Sequence, residues 1–163
     1  MTIDSELVFD GKIYKLKYSD ADSFDELPRD RCKQIYAVCF LGDKFVIGWR
    51  GKKRAWGLIG GTIEKGEIFE EALTREIREE SNMRILKSIP VGYQKVTTPS
   101  GEIIYQLRSC CFVEPIGEFV SDPDGNITEI KLVTPENYKT YFDWGAIGDR
   151  IITRAVELKH KLI

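Results

Sequence analysis

Between Gly61 and Met83 the chain reads GTIEKGEIFEEALTREIREESNM, with Arg75-Glu76-Ile77-Arg78-Glu79-Glu80 at its core. Phe69, Leu73 and Ile77 recur every fourth residue with Ala72 beside them. That spacing predicts a helix over 68–81 with one apolar stripe. On such a helix Glu76, Glu79 and Glu80 share one face, largely off the stripe. Like charges crowded in this way destabilise a helix unless a cation neutralises them. Two glycines, Gly60 and Gly61, stand just upstream, where a strand can turn toward the helix. A glycine turn feeding a polycarboxylate helix suits magnesium, a hard ion with a preference for oxygen ligands, and through it a diphosphate substrate.

The flanking sequence supplies strands. Leu7 to Asp10 and Lys12 to Tyr18 alternate around Asp10-Gly11, a hairpin pattern. Gln34–Leu41 and Lys44–Trp49 read as strands divided by Gly42-Asp43, and Trp56–Ile59 as a short strand entering the glycines. Asn82 suits a left-handed helix end. Ile85–Thr97 and Ile103–Val113 read as long strands joined by Thr98-Pro99-Ser100-Gly101-Glu102. A turn over Asp122–Asn126 precedes a strand over 129–134, a short helix from Pro135 to about Tyr141, and a longer amphipathic helix over 147–161. Without repeats or a linker, residues 1–163 read as one α+β domain with mixed sheet and covering helices.

Composition narrows the function. A net charge of −2 argues against an extended nucleic-acid surface or an anionic membrane partner. No apolar run approaches the ~18 residues of a membrane span, and the acidic start, Met1 to Glu6, lacks a signal-peptide core. Cys32, Cys39, Cys110 and Cys111 form no C-x-x-C pair and read as reduced thiols of a cytoplasmic protein. The sole histidine, His160, stands in a basic segment away from any cysteine. That disfavours zinc and leaves Mg2+, or Mn2+, as the matching cofactor.

The segment resembles the Nudix box, the defining motif of the Nudix hydrolases. Gly61, Glu67, Arg75, Glu76, Ile77, Glu79 and Glu80 match it at its fixed spacing, while Asn82 replaces a glycine. Trp56-Gly57-Leu58-Ile59-Gly60-Gly61 resembles the family's usual approach to the box, except that Ile59 replaces a proline. The resemblance implies an α/β/α sandwich with a mixed β-sheet over nearly the whole chain. It also implies magnesium-dependent hydrolysis of a nucleoside diphosphate linked to another group. Glu79 and Glu80 then look like the principal metal ligands, with Glu76 on the same face and the Gly60 carbonyl as a backbone ligand.

Arg75 reads as an organiser pairing with Glu67 and Glu79. The general base is Glu76 or a glutamate from a later loop, Glu118 or Glu129, with Glu129 preferred. Arg50, Lys52, Lys53 and Arg54 form a basic loop before the box; Arg50 and Arg54 are expected at substrate phosphates. Trp49, Trp56, Tyr105 and Trp144 are candidates to stack a base. Trp144 has glycines after it and either caps the pocket or opens the last helix. The favoured reaction converts a nucleoside triphosphate to a monophosphate and pyrophosphate. An ADP-ribose or nucleotide-sugar pyrophosphatase and a non-catalytic nucleotide-sensing module are the competing expectations. The substrate is a small nucleotide in each case, and a homodimer is left open.

Overall fold

A strand that is apolar at consecutive positions has to be covered on both faces, and β3 (Cys32–Leu41) is such a strand. Ile35, Ala37 and Cys39 enter one apolar cluster with Ala72, Leu73 and Ile77 of α1 (Phe69–Ser81). Val38 and Phe40 enter another with Ile147, Ile151, Ala155 and Leu158 of α2 (Gly145–Leu162). The computed structural model describes residues 1–162. It is a mixed sheet with a helix on each face, the α+β sandwich the sequence predicts.

The remaining strands are β1 (Thr2–Phe9), β2 (Lys12–Asp20), β4 (Lys44–Arg50), β5 (Ala55–Thr62), β6 (Met83–Thr97), β7 (Ile103–Pro115) and β8 (Ile127–Val133). Their order is β1-β2-β6-β7-β3-β5-β4-β8. β3 runs parallel to β7 and antiparallel to β5, which puts Tyr36 between Arg108 and Gly60. Asp10 and Gly11 turn the first hairpin with φ of 52° and 71°, the positive values a two-residue turn demands.

Two local expectations change. The chain does not turn at the glycines, because β5 runs through them to Thr62. They are required by close approach instead. A Cβ at Gly60 would lie 2.2 Å from the Ile35 carbonyl oxygen and 2.5 Å from Tyr36 Cα. The helix expected from Pro135 to about Tyr141 is one 3-10 turn, Tyr138–Thr140. The Asn137 side chain accepts the Thr134 amide at 3.1 Å, a local bond that competes with helix extension.

A compact ion cluster ties α2 to the strands. Arg150 Nη2 donates to Asp20 Oδ2 at 2.7 Å and Nε to Oδ1 at 3.1 Å. Arg154 Nε donates to the Val91 carbonyl at 2.7 Å and Nη2 to Asp22 at 2.8 Å. Burial alone would raise the Asp20 carboxyl, but the Arg150 hydrogen bonds outweigh it and hold the group at about 2. All four cysteines are free and buried, and His160 is exposed on α2.

Candidate active site

Helix α1 begins where the Ile68 amide donates to Glu71 Oε1 at 3.2 Å. It ends at Asn82, which adopts φ 53°, ψ 43° and returns its amide to the Arg78 carbonyl at 2.9 Å. Between these ends, Glu76 and Glu80 turn toward β5 and are 7 % and 1 % exposed. The face expected beside the apolar stripe is thus an enclosed edge of it. Gly61 makes the approach possible, since a Cβ there would lie 2.6 Å from Glu76 Cδ.

Two arginines organise the carboxylates. Arg75 Nε and Nη2 donate to Glu67 at 2.8 and 2.9 Å, Nη1 to Glu76 at 2.8 Å, and Nη2 to the Thr62 carbonyl at 2.9 Å. Glu79 Oε2 lies 3.5 Å from Arg75 Nη1, an ion pair without a hydrogen bond. Arg75 makes both pairings expected of it, with Glu67 and with Glu79. Arg50 reaches across from β4. Its Nη1 donates to Glu80 Oε2 at 3.0 Å and its Nη2 to the Leu58 carbonyl at 2.9 Å and, at 3.5 Å, to the Gly60 carbonyl. The Gly60 amide donates to Glu80 Oε1 at 3.0 Å. Arg50 therefore rests on two of the groups expected to face a metal.

The electrostatics follow from having more acids than bases in a confined space. Burial, aided by Glu80 and Glu79 and opposed by the Arg75 hydrogen bond, pushes the Glu76 carboxyl up to about 7. Burial also raises Glu80 in spite of Arg50. Arg50 is held above its ordinary value because Glu80 outweighs the cost of its own burial. Glu79 is raised by burial and by Asp124 and Asp122, against Arg75.

Those two aspartates were legible in the sequence only as turn residues. Asp122 is buried and accepts amides from Asp124, Asn126 and Ile127 at 2.9, 3.2 and 3.0 Å. That turn brings one carboxylate oxygen each of Glu79, Asp122 and Asp124 within 4.8 Å of one another. A triad of hard oxygen donors fits a divalent cation, and Glu79, one of its members, has an enclosed oxygen without a hydrogen bond.

The other candidates are dispersed. Glu129 is exposed on β8 opposite Trp49, and Glu118 is exposed with its carbonyl accepting from Asn82. Arg54 is exposed at the tip of the basic loop with φ 51°. Trp144 stands at both places the sequence offered, the cleft and the start of the last helix. It immediately precedes α2 and, 41 % exposed, lines a cleft of about 640 Å³ on the α2 face. Arg50, Lys53 and Trp56 also line that cleft. Trp49 packs on Trp56 at 5.5 Å and Tyr105 on Tyr93 at 5.7 Å. Sequence reasoning missed Arg108 and Gln34, Gln94 and Gln106, which share the cleft floor. A charged residue inside the apolar run of β7 was the available signal for Arg108.

Comparison with known proteins agrees with this architecture. The family model described as NUDIX domain matches residues 31–155. A Bacillus subtilis (strain 168) protein, YtkD, named provisionally as an 8-oxo-dGTP diphosphatase, is 33% identical over 75 residues. That stretch is 45% of this chain and 47% of YtkD, so the match spans about half of that relative's length. The crystal structure of a mutant of the Bacillus subtilis pyrophosphohydrolase BsRppH superposes with a TM-score of 0.68 at 20% identity, covering 98% of this chain and 99% of that one. A nudix hydrolase family structure from Chromobacterium violaceum gives 0.52 at 25% identity over 83% and 84%. No helix among the described residues is long and apolar enough to cross a membrane.

Proposed function

Since the chain belongs to the Nudix family, we propose that it is a magnesium-dependent pyrophosphohydrolase that converts a nucleoside triphosphate to a monophosphate and pyrophosphate. The observation that carries this reading is the complete set of box carboxylates, Glu67, Glu76 and Glu79 on Arg75 and Glu80 on Arg50, with a second acidic group, Asp122 and Asp124, brought to Glu79. A sensing module has no use for so crowded a set of acids. Four free buried thiols support a reducing, cytoplasmic setting. We read residues 1–163 as one catalytic domain and leave its oligomeric state, a homodimer included, to hydrodynamic measurement.

Glu79 with Asp122 and Asp124, and Glu76, Glu80 and the Gly60 carbonyl beside them, are the groups we assign to the metal. When bound, magnesium would neutralise phosphate charge and lower the barrier to attack at phosphorus. The chain's own residues do the rest. Arg75 holds Glu67, Glu76 and Glu79 in register. Arg50, at the junction of Glu80 and the cleft, is placed to pass from Glu80 to a substrate phosphate. Of the candidate bases we favour Glu76, which faces Gly61 inside the carboxylate group, over the exposed Glu129. It would take a proton from the attacking water as oxygen bonds phosphorus and the bridging P–O bond breaks, pyrophosphate leaving with the bond electrons.

The decisive experiment incubates the protein with magnesium and a panel of nucleoside triphosphates, ADP-ribose and nucleotide sugars, with products identified by mass. Monophosphate and pyrophosphate from a triphosphate are expected. Tight binding without turnover across the panel would sink the enzymatic reading. Glu79→Gln is expected to lower the rate on the order of 10³-fold, as loss of a central metal carboxylate does. An unaltered rate would remove Glu79 from the mechanism.

A further inference from the structure

Arg108 is an enclosed cation outside the carboxylate group. It lies on β7 opposite Tyr36, on the α2 face, and is 6 % exposed. Among the described residues no carboxylate pairs with it. Its Nη1 donates to the Leu107 carbonyl at 3.1 Å, its Nη2 reaches Gln106 Oε1 at 3.4 Å, and its Nε has no hydrogen-bond partner. The Tyr36 ring lies 5.1 Å from its guanidinium carbon. A buried cation with unfilled donors is costly unless a ligand brings acceptors to it.

The surroundings indicate what kind of acceptor. Gln94 Nε2 donates to Gln106 Oε1 and Gln106 Nε2 to Gln34 Oε1, both at 2.8 Å. This amide row crosses β6, β7 and β3 and ends in one acceptor, Gln94 Oε1, and one donor, Gln34 Nε2. With Arg108 it forms the floor of the cleft, walled by Leu16, Trp144 and Ile147. A flat floor of mixed donors and acceptors between apolar walls suits a heterocycle. A phosphate would instead meet Arg50, which holds Glu80, and Lys53 on the same cleft. The spacing agrees. Gly60 pairs with Tyr36 and Tyr36 with Arg108, two strand intervals or about 10 Å, the scale of a nucleoside.

We propose that this floor reads the O6/N7 edge of an unmodified 6-oxopurine, guanine or hypoxanthine, with Arg108 as the specificity-determining residue. This rests on the nucleotide reading above. A guanidinium only donates, so it selects two adjacent acceptors, which O6 and N7 supply. Adenine presents an amino donor at position 6. An 8-oxopurine carries a proton on N7, so the same edge meets Arg108 with a donor.

The test measures kcat/KM of the magnesium-loaded wild type on the triphosphates of guanosine, inosine, adenosine, 7-deazaguanosine and 8-oxoguanosine. Guanosine and inosine are expected to agree closely and to exceed the other three by about tenfold or more, the discrimination a bidentate contact gives. Arg108→Met should bring the guanosine-to-adenosine ratio toward one, mainly through a higher KM for guanosine triphosphate. Equal use of guanosine and adenosine, indifference to the 7-deaza change, or preference for the 8-oxo compound would overturn the proposal. The wild-type series decides even if the variant fails to fold. Quenching of the cleft tryptophans by GMP and AMP, without metal, separates this inference from the proposed reaction. Tighter GMP binding in a protein that hydrolyses nothing keeps the base site and discards the hydrolase. Equal affinity in such a protein discards both.

Discussion

The two helices are joined to the sheet by ion clusters of different balance. At α2, Asp20 faces Arg150 at 2.7 Å, Arg154 at 4.0 Å and the N-terminal amine at 3.3 Å, while Asp22 meets Arg154 at 2.8 Å and Glu157 meets Arg150 at 3.6 Å, so acids and cations are matched. At α1, Glu67, Glu76, Glu79 and Glu80 share Arg75 and Arg50. The consequence is visible in the acids. Asp20 is held down to about 2 although burial opposes it, whereas burial lifts Glu76 to about 7 although Arg75 opposes it. A cluster with matched charges strengthens a joint between helix and sheet. A cluster with anions in excess is a strained arrangement that a further cation relieves.

Breaking the α1 cluster from its basic side has the largest effect on stability. In Arg50→Met, the buried Glu80 loses the partner that sits 3.0 Å away. A loss of about 3 kcal/mol at neutral pH is expected, as when one member of a buried pair is removed. Glu80 already stands above its ordinary value through burial, so acidification neutralises it readily and the deficit should shrink as pH falls. Urea unfolding of both proteins at several pH values measures this. A constant deficit would mean that Arg50 matters through packing alone.

Supplying the missing cation sharpens the contrast. Magnesium should raise the thermal midpoint of the metal-free protein, by the equivalent of about 2.7 kcal/mol at about 100 times its dissociation constant. Asp124→Asn should reduce the gain and Asp20→Asn should not. A midpoint indifferent to magnesium would separate the Glu79, Asp122 and Asp124 group from metal binding.

The α2 cluster gives the smallest effect and a distinct pH signature. Asp20→Asn is expected to cost about 1.5 kcal/mol at neutral pH through its charge-assisted hydrogen bonds. The folded value of Asp20 lies below the usual 3.8, so its contribution is present above 3.8 and is lost as pH falls through about 2. Thermal midpoints of wild type and variant should therefore converge near that pH. Persistent separation would show that the carboxylate charge is not what binds Arg150.

What could be read in advance divides along chain distance. The α1 helix, its left-handed end at Asn82, the Asp10-Gly11 hairpin and the Thr98 to Glu102 turn were all legible, since neighbouring residues decide them. The box carboxylates and the Arg75 pairings with Glu67 and Glu79 were legible for the same reason, the partners being only eight and four residues away along the chain. Asp122 and Asp124 were not, because a turn motif does not say which distant helix it will touch. Arg108 stayed hidden because an apolar strand pattern reports burial and gives no indication of which strands flank it.

The sequence by itself determined the helix with its excess of acids, and with it the need for a counter-charge and the family resemblance. Those properties depend on periodicity and on like-charge repulsion over a few ångströms. The tertiary structure decided which cations answer that need. It sent Arg50 to Glu80, joined Asp122 and Asp124 to Glu79, and placed Arg108 on the opposite face beside a glutamine row. Each of these depends on strand order and on the alternation of side chains across a sheet, which only the packed fold sets.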